Sequence, residues 1–277
     1  MTIWAIILLA VVQGVTEFLP VSSSGHLVVA NAVLEALGQP PAADLLEVEI
    51  VLHLGTLLAI LVFFWREVWR LIGRDWPVIP LLVVGTIPAV VIGLPLKHYA
   101  QHVLESPLLA GCMFPLTAAL LVWGSRQPEG TTSYRDLSYR GALGIGLLQS
   151  LALLPGVSRS GATIAGGLVA RLDRTSAGTF AFLLAIPAIG GAGLLQIIEL
   201  VKKYQETTGD ATGATGLASA ATAPLTLAIG ALVSMVVGFG ALWLLLRWVQ
   251  QGRLAMFAWY LVPLGVVVVA WQLMVAM

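Results

Sequence analysis

Two strings in this chain bring together residue types that can handle a phosphate, and both lie inside apolar sequence. QGVTEFLPVSSSGH (13–26) carries Gln13, Glu17, Ser22, Ser23, Ser24, Gly25 and His26. QSLALLPGVSRSGAT (149–163) carries Ser158, Arg159, Ser160, Gly161 and Thr163. A guanidinium presents a planar fork that matches phosphate oxygens bidentately. Serine hydroxyls and unpaired amides at a helix start form an anion site. Gln13 and Glu17 are one turn apart on a single helical face. Their oxygens suit a hard divalent cation, Mg²⁺ or Ca²⁺. His26, a turn or less from Ser23, is a candidate general acid, base or nucleophile. A plainer reading stands beside each: a polar packing stripe for Gln13 and Glu17, N-capping for the serines, and a structural role for His26.

Depth in a membrane gives these residues their weight. The chain is 58% hydrophobic and 10% charged over 277 residues, with mean hydropathy +0.94. A soluble domain carries about 25% charged residues, so lipid must be the solvent for most of this surface. Zero net charge argues against a nucleic-acid partner, and the single Cys112 allows no intramolecular disulfide. No charged leader or small-residue cleavage site precedes the first apolar run, so no removable signal peptide is expected.

Crossing the hydrocarbon takes roughly 20 apolar residues, and six stretches qualify: 45–65, 77–97, 107–124, 177–201, 224–247 and 254–276. Four others are too short: 2–18, 24–38, 140–154 and 160–171. They form two pairs, each broken by one of the strings above. Irregular backbone at membrane depth survives only where protein or a wet cavity satisfies it, so each pair predicts a re-entrant helical hairpin. The strings share Gln, Leu-Pro and Ser-x-Ser-Gly, which aligns Ser22, Ser23, Ser24 and Gly25 with Ser158, Arg159, Ser160 and Gly161. The expected fold is an all-α integral membrane protein with six transmembrane helices and two re-entrant hairpins. The single domain, 1–277, divides into inverted-topology repeats at about 1–124 and 139–277. Residues 204–223, rich in Gly, Ala and Thr, predict a loop.

Basic residues orient the chain. With the loop after 45–65 inside, Arg66, Arg70, Arg74, Arg126, Arg135, Arg140, Arg171, Arg174, Arg247 and Arg253 all lie inside. Lys97, Lys202 and Lys203 lie outside, as do both termini and the mouth of the first hairpin. Arg159 alone belongs to neither loop set. An ionisable group at membrane depth is costly and marks function by default; Glu17 needs a partner there, and Arg159 is the candidate. Glu47, Glu49 and His53 lie in 45–65, with Glu49 a candidate for the cavity and His53 behind it. His98 and His102 are expected in an outer loop, and the tryptophans in interfacial belts.

Gln13-x-x-x-Glu17 running into FLPVSSSGH, followed by PGVSRSGAT at 155–163, resembles the undecaprenyl-diphosphate phosphatase family, also called bacitracin-resistance proteins. Both motifs match in full, and the likeness in motif order and hydropathy covers essentially the whole chain. Gln stands at the first acidic position, a variant that the family pattern allows. The resemblance implies hydrolysis of the terminal phosphate of a C55 isoprenyl diphosphate, which regenerates the monophosphate carrier for peptidoglycan synthesis. It implies dependence on Mg²⁺ or Ca²⁺ held at Gln13 and Glu17, and a site opening to the outer face of the bacterial inner membrane. Glu17, Ser23, His26 and Arg159 would be catalytic, with Ser23 and His26 the nucleophile candidates and Arg159 on the diphosphate. Ser22, Ser24, Gly25, Ser158, Ser160, Gly161 and Thr163 would contact substrate. The expected partners are the lipid substrate and membrane lipid, with room for a homodimer. A transporter or lipid flippase with a midplane anion site is the rival reading, since it would use the same architecture.

Overall fold

The computed structural model describes residues 3–36, 45–208 and 224–275. Among them the chain is helical, without a strand beyond one bridge between Thr132 and Leu172. The first short pair forms α1 (Ile3–Phe18) and α2 (Ser23–Ala36), and the second forms α7 (Tyr139–Leu151) and α8 (Arg159–Val169). Between the pairs run α3 (Leu45–Phe63), α4 (Trp65–Leu71), α5 (Val78–Leu104) and α6 (Pro107–Ser125). After the second pair come α9 (Arg174–Thr208), α10 (Pro224–Gln250) and α11 (Ala258–Val275).

Among the described residues five helices are long and apolar enough to cross a membrane: α5, α6, α9, α10, and α11 with the 3₁₀ turn before it. The pair α3 and α4, bent by 79° at Phe64, makes a sixth when taken as one broken span. This is a multi-pass membrane protein. Local chemistry sets several of the helix starts. Ser106 caps α6 by accepting from the Leu109 amide, with Pro107 at the first helical position. Ser138 caps α7 in the same way through the Gly141 amide.

Two expectations are corrected. His98 and His102 lie on α5, which continues to Leu104, and not in a loop. The helix has no reason to stop at Lys97, because the next capping residue and proline are Ser106 and Pro107. Residues 204–208 continue α9, and the rest of the expected loop, 209–223, lies outside the described residues. At 35 residues α9 is about 50 Å long, so it outruns a hydrocarbon layer of about 30 Å.

Helix pairing follows the sequence repeat. α1 packs on α10 as α7 packs on α5, and α3 packs on α10 as α9 packs on α5. α3 meets α9, and α6 meets α11. Exchanging α1, α3, α5 and α6 for α7, α9, α10 and α11 leaves this set of pairs unchanged. The exchange fails at the hairpins, where α2 and α8 both pack on α6. Small residues permit these close approaches, as expected where lipid removes the hydrophobic drive between helices. A Cβ on Gly14 would meet the Ser234 carbonyl at 2.9 Å, and one on Gly146 the Gly85 carbonyl at 2.4 Å.

Below the hairpin tips lies a layer of phenylalanines. The rings of Phe18 and Phe182 meet edge to face at 5.7 Å, and Phe64 stacks on Phe182 at 6.0 Å. Phe63 bridges Phe64 and Phe239 at 5.0 and 5.1 Å. Outside the spans, the loop between α6 and α7 is fastened to the start of α5. Asp75, 4% exposed, accepts from Arg135 Nε at 2.8 Å and from the Tyr134 hydroxyl at 3.5 Å. Burial holds the Tyr134 phenol above its ordinary pKa, which keeps it a donor.

Candidate active site

The two hairpin tips repeat one hydrogen-bond pattern. In the first, Ser22 Oγ accepts from the Gly25 amide (3.3 Å) and meets Ser24 Oγ (3.3 Å). In the second, Ser158 Oγ accepts from the Gly161 amide (3.2 Å) and meets Ser160 Oγ (3.1 Å). The aligned serines are thus the N-caps of α2 and α8, which leaves the amides at residues 23, 24, 159 and 160 without an intrahelical acceptor. The tips also lock to each other, since the Gly156 amide donates to Ser22 Oγ at 3.1 Å. To reach this position Ser22 takes φ +70° and Gly156 takes φ +93°. A Cβ on Gly25 would lie 2.6 Å from the Gly156 nitrogen, so the two backbones touch here and only glycine fits.

Glu17 sits at the centre. Arg159 Nη2 donates to its Oε1 at 2.7 Å, while Ser23 Oγ (2.8 Å) and Gln13 Nε2 (3.1 Å) donate to Oε2. His53 Nε2 stands 3.7 Å from the same oxygen, and its Nδ1 donates to the Glu49 carbonyl at 2.8 Å. The Arg159 guanidinium is only partly satisfied: Nη1 is buried and has no hydrogen-bond partner among the described residues. A buried charged donor left unmade is expensive, and an anion bound between the tips would supply its acceptor.

His26 turns away from this cluster. Its Nδ1 meets the Ser22 carbonyl at 2.7 Å and its Nε2 the Tyr260 hydroxyl at 2.7 Å. A carbonyl can only accept, so Nδ1 carries the proton, and in the neutral ring Nε2 accepts from Tyr260. The imidazole lies stacked on Tyr260 and edge-on to Phe114. None of its hydrogen bonds reaches Glu17, Ser23 or Arg159.

The remaining expected substrate contacts are mostly committed to holding the tips. Thr163 Oγ1 donates to the Arg159 and Ser160 carbonyls, and Ser160 Oγ reaches the Leu19 carbonyl at 3.5 Å. Ser22, Gly25, Ser158 and Gly161 are engaged as described, which leaves Ser23 and the exposed Ser24 as the hydroxyls at the opening. Two supports escaped the sequence reading. Tyr260 is far along the chain and sits among aromatic residues that read as interfacial belt. Thr117 accepts from the Ser158 amide and donates to the Gly156 carbonyl, and nothing in its surroundings marks it. Among the described residues no three His, Cys, Asp or Glu side chains form a metal-holding group.

An acid, an arginine, a serine on the acid and two helix starts around one point can bind and polarise a phosphate group. The profile of bacitracin resistance protein BacA matches residues 6–267. The chain belongs to the bacitracin resistance protein family. A relative from Rhodopirellula baltica, named undecaprenyl-diphosphatase, is 45% identical over 264 residues, covering 95% of this chain and 96% of its own. Relatives of the same name from Desulforudis audaxviator and Methanosphaera stadtmanae are 37% and 35% identical, each alignment covering 95% of both chains. Within this family's frame the chain differs between its own halves: the second tip has neither an acid like Glu17 nor a histidine, since Ala162 stands opposite His26.

Proposed function

We propose that this enzyme hydrolyses undecaprenyl diphosphate to undecaprenyl phosphate and inorganic phosphate, recycling the lipid carrier of cell-wall synthesis and conferring bacitracin resistance. The observation that carries the reading is the unpartnered, buried Nη1 of Arg159 beside Glu17, between two helix starts that repeat one capping pattern. The terminal phosphate takes the Arg159 fork and the free first-turn amides, donors suited to the charge on its equatorial oxygens. Ser23 attacks phosphorus and gives its proton to Glu17 Oε2, which its hydroxyl already touches. The bond from phosphorus to the bridging oxygen breaks, and the lipid monophosphate leaves with that oxygen and the proton that Glu17 took from Ser23, which returns Glu17 to its carboxylate. Water activated by the same carboxylate then releases phosphate from Ser23. Arg159 pairs with Glu17 and holds it in place, while His26 is held by Ser22 and Tyr260.

A divalent cation fits this donor set, because Mg²⁺ commonly takes one or two carboxylates plus substrate phosphate oxygens and keeps its waters. Glu17 and the Gln13 amide oxygen would hold Mg²⁺ or Ca²⁺, which would neutralise developing charge on the diphosphate. The halves 1–124 and 139–277 would form an inverted repeat in the bacterial inner membrane, and the arginine bias supports a site open to the outer side. The test is release of inorganic phosphate from a long-chain polyprenyl diphosphate by purified protein in detergent. No gradient exists there, so a transporter would release none, and absence of phosphate release from folded protein sinks the proposal.

A further inference from the structure

A cavity of about 710 Å³ lies at the Phe63 end of α3. From His53 at the candidate active site to Phe63 on the cavity wall α3 climbs about 15 Å, and Phe63 and Phe64 of the phenylalanine layer form part of that wall. Three arginines from three helices line the cavity: Arg66 of α4, Arg174 of α9 and Arg247 of α10. Glu67 is the acid of the lining, so the charge is three minus one, a net +2. Among the described residues Arg66 and Arg247 form no ion pair, and Arg174 reaches only the exposed Glu129, at 3.7 Å. Cations that outnumber the carboxylates around one cavity favour an anion there.

We infer that this cavity binds the phosphodiester headgroup of an anionic membrane lipid. Guanidinium forks match phosphate oxygens, and a basic pocket between membrane helices suits a lipid head. The walls favour a lipid over a soluble anion. Trp65 and Trp243, 59% and 51% exposed, flank the opening as interfacial anchors, each beneath the guanidinium of Arg66 or Arg247. Phe63 and Leu246 continue the wall in apolar material that an acyl chain can follow. The inference does not depend on the proposed hydrolysis and shares no residue with it.

Thermal unfolding of the full chain in nonionic detergent tests it, with phosphatidylglycerol, phosphatidylcholine or inorganic phosphate added at equal concentration. Phosphatidylglycerol at about a hundred times its Kd should raise Tm by about 5 °C, and Arg66→Gln/Arg247→Gln should lose most of that rise. No rise in the parent, an equal rise in the double variant, or an equal rise with phosphatidylcholine overturns the site. A rise reproduced in full by inorganic phosphate overturns the lipid assignment. A photoactivatable phosphatidylglycerol analogue gives a check on unmutated protein. Adducts should map to peptides holding residues 63–67, 174–179 or 243–250, and adducts confined elsewhere refute the proposal.

Discussion

Ser23 and Arg159 occupy the same place in two hairpin tips, each one residue past the capping serine, and they bond opposite oxygens of one carboxylate, Glu17. The two aligned strings therefore bring matching positions to a single acid, one a hydroxyl and the other a guanidinium. Serine offers a nucleophile, arginine an anion receptor, and the acid between them couples the two.

Arg159→Lys keeps the charge but cannot hold Glu17 and a phosphate with one planar fork. The expected loss is about 2–3 kcal/mol of transition-state binding, roughly 30- to 150-fold in kcat/KM. Steady-state kinetics within threefold of the parent would remove Arg159 from the diphosphate.

Glu17→Gln is nearly isosteric, so the protein should still insert and fold. It should lower kcat by roughly 10²-fold or more, as loss of a positioned base does, and abolish the response to added Mg²⁺ or Ca²⁺. A variant that titrates with cation as the parent does would move the cation elsewhere, with Glu49 the next residue to substitute.

The nucleophile can be read from the bond it makes. With substrate labelled in the terminal phosphate, rapid quench should trap label that survives acid and is lost in alkali, as a phosphoserine ester is. Ser23→Ala should trap none. Label that is lost in acid and survives alkali would be phosphohistidine and would transfer the role to His26.

Orientation is open to single cysteines at Glu105 and Asp136 in a Cys112→Ala background. An impermeant thiol reagent on intact cells should modify Glu105→Cys and leave Asp136→Cys untouched until the membrane is opened. The opposite pattern would turn the site to the inner face.

Much of the fold was legible because lipid makes charge conspicuous. Glu17 and Arg159 stood out as ionisable groups in apolar strings, and each had only the other to pair with. The Ser-x-Ser-Gly repeat foretold two helix starts, since the cap and its amide are local in sequence. What stayed hidden was long-range or disguised. Tyr260 reaches His26 across 234 residues and sits in an aromatic run that also suits a membrane interface. The polar residues at 97–102 read as loop, yet no proline or glycine lies between them and Ser106. Nor could composition say that most of the tip hydroxyls and glycine amides would fasten the tips together, because a capping serine and a phosphate-binding serine look alike until their partners are seen.

The phenylalanine layer of Phe18, Phe182, Phe64, Phe63 and Phe239 has an electrical consequence. In the proposed reading the site opens to one side of the membrane, and these packed apolar rings stand between Glu17 and the arginine-lined cavity at the far end of α3. Moving a unit charge through the full field costs about 2.3 kcal/mol per 100 mV; a diphosphate binding above the rings crosses little of it. In that reading turnover should stay almost constant as the membrane is polarised or discharged.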